Sequence, residues 1–232
     1  MSGQTIYLDG EYLAMNPGWH VEECAWKATY ILRMLSQNHL SPQTICEVGC
    51  GTGEVLKQLQ ENLESQCNFW GYDISPQAVE LAKTRANERL QFKLADFRRE
   101  RVDFFDLILV LDVIEHLEDY FDFLRQLQDR ARHKIFHIPL DLSVQTVLRR
   151  NALIKRRKMY AHLHYFTKET ALQTLRDTGY EVLDCFYTPR SLYFAGSSAQ
   201  KILRLPRKLC FAIHEDFAAR FLGGFSLLVL AK

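Results

Sequence analysis

The run Glu47-Val48-Gly49-Cys50-Gly51-Thr52-Gly53 constrains this chain more than any other segment. It closes a short apolar stretch, residues 44–48, and opens into a helix-like one, 54–63. Three glycines at a strand-to-helix turn let backbone come close to a bound ligand, because no side chain stands in the way. Asp73 closes the next apolar stretch, 68–72, twenty positions after Gly53. A carboxylate at that spacing can grip the two hydroxyls of a ribose. The pair of features points to a strand–turn–helix unit that binds a nucleoside.

The same rhythm continues along the chain. Strands are expected at 44–48, 68–72, 90–94, 106–111 and 134–138, the last stopped by Pro139. Helices are expected at 54–63, 76–89 and 118–132, with Ser75-Pro76 opening the second. Asn16-Pro17 reads as the start of an N-terminal helix running to about Leu35. Alternation with apolar strands argues an α/β fold, a parallel sheet covered by helices on both faces. Later, 168–178 reads as a helix with Thr167 as N-cap and Gly179 beyond its end, and 180–187 and 225–231 as strands.

Length and composition suit one domain over residues 1–232. Lys plus Arg (29) nearly balance Asp plus Glu (28), so net charge draws the chain toward neither nucleic acid nor membrane. The opening residues carry no apolar signal core, and no stretch is long enough to span a bilayer, so a cytoplasmic protein is expected. The six cysteines show no Cys-x-x-Cys pair and read as reduced, mostly packing thiols.

Which nucleoside cofactor is meant depends on spacing. A dinucleotide site wants Gly-x-Gly-x-x-Gly, but the last position here holds Glu54. A carboxylate in the first helical turn opposes a pyrophosphate, and no Gly-Lys-Ser/Thr follows to make a P-loop. Several further segments lie in order: Gly-Tyr-Asp-Ile-Ser-Pro (71–76), Ala-Asp-Phe (95–97), Phe-Asp-Leu-Ile-Leu-Val-Leu-Asp-Val-Ile-Glu-His-Leu (105–117) and His-Tyr-Phe-Thr-Lys-Glu-Thr (164–170), then Thr-Gly-Tyr (178–180). In these motifs the chain resembles the class I S-adenosylmethionine (SAM)-dependent methyltransferases, in particular the small-molecule group that includes the ubiquinone-biosynthesis type. The resemblance covers about Thr44 to Asp184.

The resemblance implies a Rossmann-like, doubly wound sheet of seven strands with the last antiparallel, and SAM as cofactor with S-adenosyl-L-homocysteine (SAH) as product. It implies site roles as well. Glu47 accepts from the cofactor's amino group or organises the turn, and the Gly49-Cys50-Gly51 backbone, with Gly53, holds the methionine part. Asp73 takes the ribose hydroxyls, and Ile74 packs on adenine. Asp96 accepts from the adenine amino group, and the Phe97 N–H bonds a ring nitrogen. Leu111, Asp112 and Val113 line the sulfonium region. Asp96 and Asp73 also suit plain helix capping, whereas a carboxylate such as Glu47 on a buried strand needs a partner.

For proton transfer, the candidates are His137 at the end of the fifth strand, His164, and His116 after Asp112 and Glu115. His162 and His164 alternate about Leu163, but a third ligand is not evident, so no metal is expected. His20 reads as a wall of an N-terminal helical lid, residues 1–40. Residues 188–224 read as an insert before the last strand that caps the acceptor side. The basic run 149–158 reads as a solvated helix face. The expected partner is a small-molecule acceptor, methylated on O, N or C, with the chain a monomer or homodimer. A methyltransferase on RNA or protein, and a SAM-binding protein without catalysis, are the alternatives.

Overall fold

The computed structural model describes residues 7, 16, 18–19, 21–63, 66–194 and 198–232. Helix α1 (Val21–Gln37) precedes β1 (Thr44–Val48), α2 (Glu54–Asn62), β2 (Asn68–Asp73), α3 (Pro76–Lys83), β3 (Leu90–Leu94) and β4 (Phe105–Leu111). Then come α4 (Tyr120–Leu127), β5 (Ala131–Pro139), α5 (Val144–Leu148), α6 (Ala152–Tyr160), α7 (Lys168–Asp177) and β6 (Val182–Thr188). The chain closes with α8 (Arg190–Tyr193), α9 (Ser198–Ile213) and β7 (Ser226–Ala231).

The seven strands lie in the order β3-β2-β1-β4-β5-β7-β6. All pairs from β3 to β5 are parallel, and β7 runs antiparallel between β5 and β6. Every residue of β7 is buried, which its Ser-Leu-Leu-Val-Leu-Ala sequence permits. The strand order reverses between β1 and β4, so the crevice beyond their carboxyl ends is the ligand position of such sheets.

Two apolar layers cover the sheet. On one side α1 contributes Ala28, Ile31, Met34 and Leu35, and α2 contributes Val55, Leu56 and Leu59. On the other side Phe123, Leu124 and Leu127 of α4 and Ala171, Leu172 and Leu175 of α7 pack on Ile108, Val110 and Phe136. A fully buried Leu or Ile contributes about 1.5–3 kcal/mol, so α1 is part of the core along most of its length.

Several boundaries differ from those expected. Helix α3 stops at Lys83, not near 89, because the chain folds back: Asn87 N donates to Leu90 O (2.9 Å) and Leu90 N to Asn87 O (3.2 Å). The Asn87 side chain also pairs with Gln60. Helix α4 ends at Leu127 and tightens into a single 3₁₀ turn, Gln128–Arg130. Strand pairing then begins at Ala131, opposite Phe105, three residues earlier than the sequence suggests. Pro17 and His20 lie outside the described residues, and the N-terminal helix is described from Val21.

Candidate active site

A cavity of about 220 Å³ opens at the carboxyl ends of β1, β2, β3 and β4. Its wall includes Glu47, Gly49, Cys50, Gly51, Asp73, Ile74, Asp96, Phe97, Leu111, Asp112 and Val113, which belong to four separate segments of the sequence. Gly53 is the one expected cofactor contact that does not line it. At φ +75° Gly53 caps α2, and an added Cβ would stand 2.3 Å from the Phe92 ring. Its glycine serves packing between α2 and β3. Gly51, at φ +53°, is the opposite case, because an added Cβ meets nothing within 4 Å.

The acidic groups differ in their partners. Asp73 accepts from Gly51 N through Oδ2 (2.8 Å) and from Ser75 N through Oδ1 (2.8 Å). The two oxygens therefore brace the glycine turn and the start of α3, and the carboxylate keeps acceptor capacity beyond these bonds. Burial raises the Asp73 carboxyl despite those bonds. Glu47 is 3% exposed, and its Oε2 has no hydrogen-bond partner. Burial pushes its carboxyl up to about 8. Asp96 both caps a 3₁₀ turn, accepting from Arg98 N (3.1 Å), and pairs with the Arg98 guanidinium. Burial opposes its charge, but Arg98 outweighs that and holds the carboxyl below its usual range. Glu54 does not face a ligand with a free charge: it pairs with Arg85 at 2.7 Å.

Asp112 sits at φ +55°, an unusual backbone state for a residue with a Cβ. Its side chain is held from two sides. Lys27 Nζ lies 2.6 Å from Oδ2, and His137 Nδ1 lies 2.6 Å from Oδ1. His137 Nε2 in turn lies 2.9 Å from Thr188 Oγ1. Burial disfavours the Asp112 charge, yet His137 and Lys27 keep its carboxyl well below the ordinary range. Lys27, Cys24 and Trp19 line the cavity from the N-terminal segment, where the sequence reading expected a wall but named His20 and not these three residues. Lys27 lies one helical turn from Cys24 and Glu23, a polar group on a largely apolar face, and that was its only signal in the sequence.

The three histidines expected near the chemistry separate. His137 is 3% exposed and stands behind Asp112, with both ring nitrogens engaged. His164 donates from Nε2 to Leu117 O (2.8 Å) and packs on Tyr120. His116 lines the cavity, its ring 6.0 Å from that of Tyr7. Burial and neighbouring His162 push the His116 imidazole down to about 3. His162 and His164, expected on one face, take different partners, since His162 Nδ1 bonds Asp141 Oδ2 at 2.6 Å. The expected pair of His162 and His164 does not form a ligand set; His162 groups instead with Glu115 and His116, a combination not evident in the sequence. Among the described residues none from 188–224 lines the cavity; that segment instead ties α8 to α1 through Arg190 and Glu23.

A family model for a methyltransferase domain matches residues 19–184. The chain belongs to the methyltransferase-domain family. Among curated proteins it is similar to ajmaline N-methyltransferase of Rauvolfia serpentina, 31% identical over 93 residues, 37% of this chain and 31% of that enzyme. The match thus spans about a third of that relative's length. The fold of this methyltransferase-domain chain is shared with the plantazolicin methyltransferase BpumL in complex with SAH (TM-score 0.66, 15% identity, 99% of this chain and 93% of that one). It is shared also with magnesium protoporphyrin IX methyltransferase from Synechocystis PCC 6803 with bound SAH (TM-score 0.59, 17% identity, 89% and 81%). The cavity fits the cofactor those structures hold. The unpartnered Glu47 oxygen suits an ammonium group, Asp73 retains lone pairs for a diol, and the open face of Gly51 leaves room for a ligand against bare backbone. Among the described residues no helix is long and apolar enough to cross a membrane.

Proposed function

We propose that this protein is a SAM-dependent methyltransferase acting on a small-molecule acceptor. The observation that carries the reading is Glu47, a buried carboxylate with an unpartnered oxygen on the wall of the crevice that also presents Asp73. Such a group is costly unless a ligand supplies its partner, and an α-ammonium does so.

The cofactor, when bound, supplies a methyl group activated on sulfonium. The chain's own residues supply binding and orientation. Glu47 would hold the ammonium, the backbone at Gly49 and Gly51 the carboxylate side, and Asp73 the ribose. Ile74 would flank the adenine, with Asp96 accepting from its amino group and the Phe97 N–H bonding a ring nitrogen. Leu111, Asp112 and Val113 would form the wall nearest the reacting centre. Methyl transfer gains most from alignment of nucleophile and methyl, which can supply several kcal/mol. The clamp of Lys27 and His137 on Asp112 serves that end by fixing the wall. His116 would face the acceptor, and His137 acts as a positioning residue through Asp112.

A small-molecule acceptor is supported by the balanced charge of the chain and by the names of its methyltransferase relatives. The test has two steps. Calorimetry should show SAH binding and no NAD binding; the reverse would overturn the cofactor. A metabolite pool incubated with methyl-labelled SAM should then yield a labelled small molecule. Label found only in RNA or protein would overturn the acceptor class.

A further inference from the structure

Beside the cofactor crevice, three side chains converge whose chemistry the binding of SAM does not use. Glu115 is 0% exposed, and neither of its carboxylate oxygens has a hydrogen-bond partner. His116 and His162 flank it, and one donor atom from each of the three lies within 4.8 Å of the others. His116 Nε2 is 3.8 Å from Glu115 Oε1.

Each imidazole is already oriented by a bond from its other nitrogen. His162 Nδ1 donates to Asp141 Oδ2 at 2.6 Å, and Asp141, 2% exposed, is held in turn by Arg156. His116 Nδ1 lies 3.3 Å from Ala161 O. Both arrangements leave Nε2 as the ligating atom, which is how metal-bound histidines are usually braced. The backbone locks the two halves together: Leu163 N and His164 N both donate to Glu115 O, at 2.7 and 3.1 Å. Ala161, at φ +59°, turns the chain out of α6 to bring this about. Four features thus coincide: a buried carboxylate without a partner, two braced imidazoles, a carboxylate behind one of them, and a strained turn.

We propose that Glu115, His116 and His162 form a site for a divalent transition-metal cation at the rim of the crevice. Two imidazoles and one carboxylate favour ions such as Zn²⁺, Co²⁺ or Mn²⁺ over Mg²⁺ or Ca²⁺, which prefer oxygen ligands. Ligand atoms around a tetrahedral zinc stand about 3.4 Å apart, so the three side chains need to draw in by an ångström or so. Three protein ligands leave further coordination positions open, and His116 places the site on the crevice wall. The partner for those positions is an acceptor with an oxygen donor, such as a hydroxyl, whose proton the ion makes easier to lose. The ion's role rests on the methyltransferase reading; its binding does not.

The test uses the full chain stripped with a chelator and titrated with Co²⁺. Visible ligand-field absorption saturating at one ion per chain, and bleached by Zn²⁺, is expected. His162→Ala should abolish the band. Asp141→Asn should weaken Co²⁺ about 10–100-fold. Glu115→Gln should also abolish it while keeping a cooperative melt, because neither oxygen of the Glu115 side chain makes a hydrogen bond that the apo fold would lose. Should His162→Ala fail to fold, Glu115→Gln carries the comparison. Absence of the band in the wild type, equal uptake by Glu115→Gln, or binding of Mg²⁺ alone would overturn the site. SAH calorimetry on the stripped wild type separates the two readings: SAH binding without Co²⁺ binding sinks the metal site only, and Co²⁺ binding without SAH binding sinks the cofactor only.

Discussion

Lys27 of α1 and Asp112 beyond β4 are 85 positions apart in sequence and 2.6 Å apart in space. The contact joins the N-terminal helix to the crevice wall, and His137 completes it from β5. Burial works against the Lys27 ammonium, but Asp112 outweighs it and holds the group above its usual range. Removing Lys27 leaves the part-buried Asp112 carboxylate with His137 as its remaining partner, a loss of about 1–3 kcal/mol. Lys27→Met should therefore lower stability by about that much in urea unfolding and weaken SAH. An unchanged midpoint would show that the pair contributes nothing.

Glu47 sets a pH dependence. Its carboxyl rises from the ordinary 4.5 to about 8 in the folded chain. A raised carboxyl favours the protonated form in the native state, so its contribution is complete below about 4.5 and lost as pH climbs through about 8. Glu47→Gln should thus raise the melting temperature of the ligand-free protein at pH 8 and change little at pH 4.5. The same variant should bind SAH at least about tenfold more weakly, since a charge-assisted bond is lost. A variant that melts like the wild type at pH 8 refutes the unpartnered carboxylate.

Asp73 has a double role. Asp73→Ala removes acceptors for Gly51 N and Ser75 N, costing about 2–3 kcal/mol. It should also abolish SAH binding in calorimetry. Retained affinity would mean that the ribose is held elsewhere.

The two glycines of the turn should separate packing from binding. Gly53→Ala drives a Cβ into Phe92 at a left-handed position and should cost about 2–4 kcal/mol. Gly51→Ala meets no atom, so only its φ is penalised, at about 1 kcal/mol. Its methyl should instead reduce SAH affinity. Equal destabilisation by both substitutions would contradict the geometry.

How much of this was readable beforehand varies by residue. Spacing from the glycine turn located Asp73, whereas the roles of Glu47 and Asp96 followed from the resemblance to SAM-dependent methyltransferases. Asp96 also shows why such readings stay open: the residue expected at the adenine is at once a cap and the partner of Arg98. Lys27 carried almost no signal, because its meaning comes from a residue 85 positions away. Three equivalent-looking histidines could not be told apart, since a ring's role depends on which nitrogen is already engaged. The end of α3 was missed because Asn87 and Leu90 bond to each other, a choice that helical propensity does not foresee.

The glycine turn, the strand rhythm and Asp73 determined from sequence alone an α/β sheet that binds a nucleoside; the antiparallel last strand and SAM itself followed from the motif resemblance. These are local patterns, repeated at short range, and backbone sterics fixes their outcome. The tertiary structure decided what stands behind the wall. It put Lys27 and His137 on Asp112, set Glu115 beside His116 and His162, and left one oxygen of Glu47 without a partner. Burial and pairing are properties of the packed chain, and only packing brings together charges that the sequence keeps far apart.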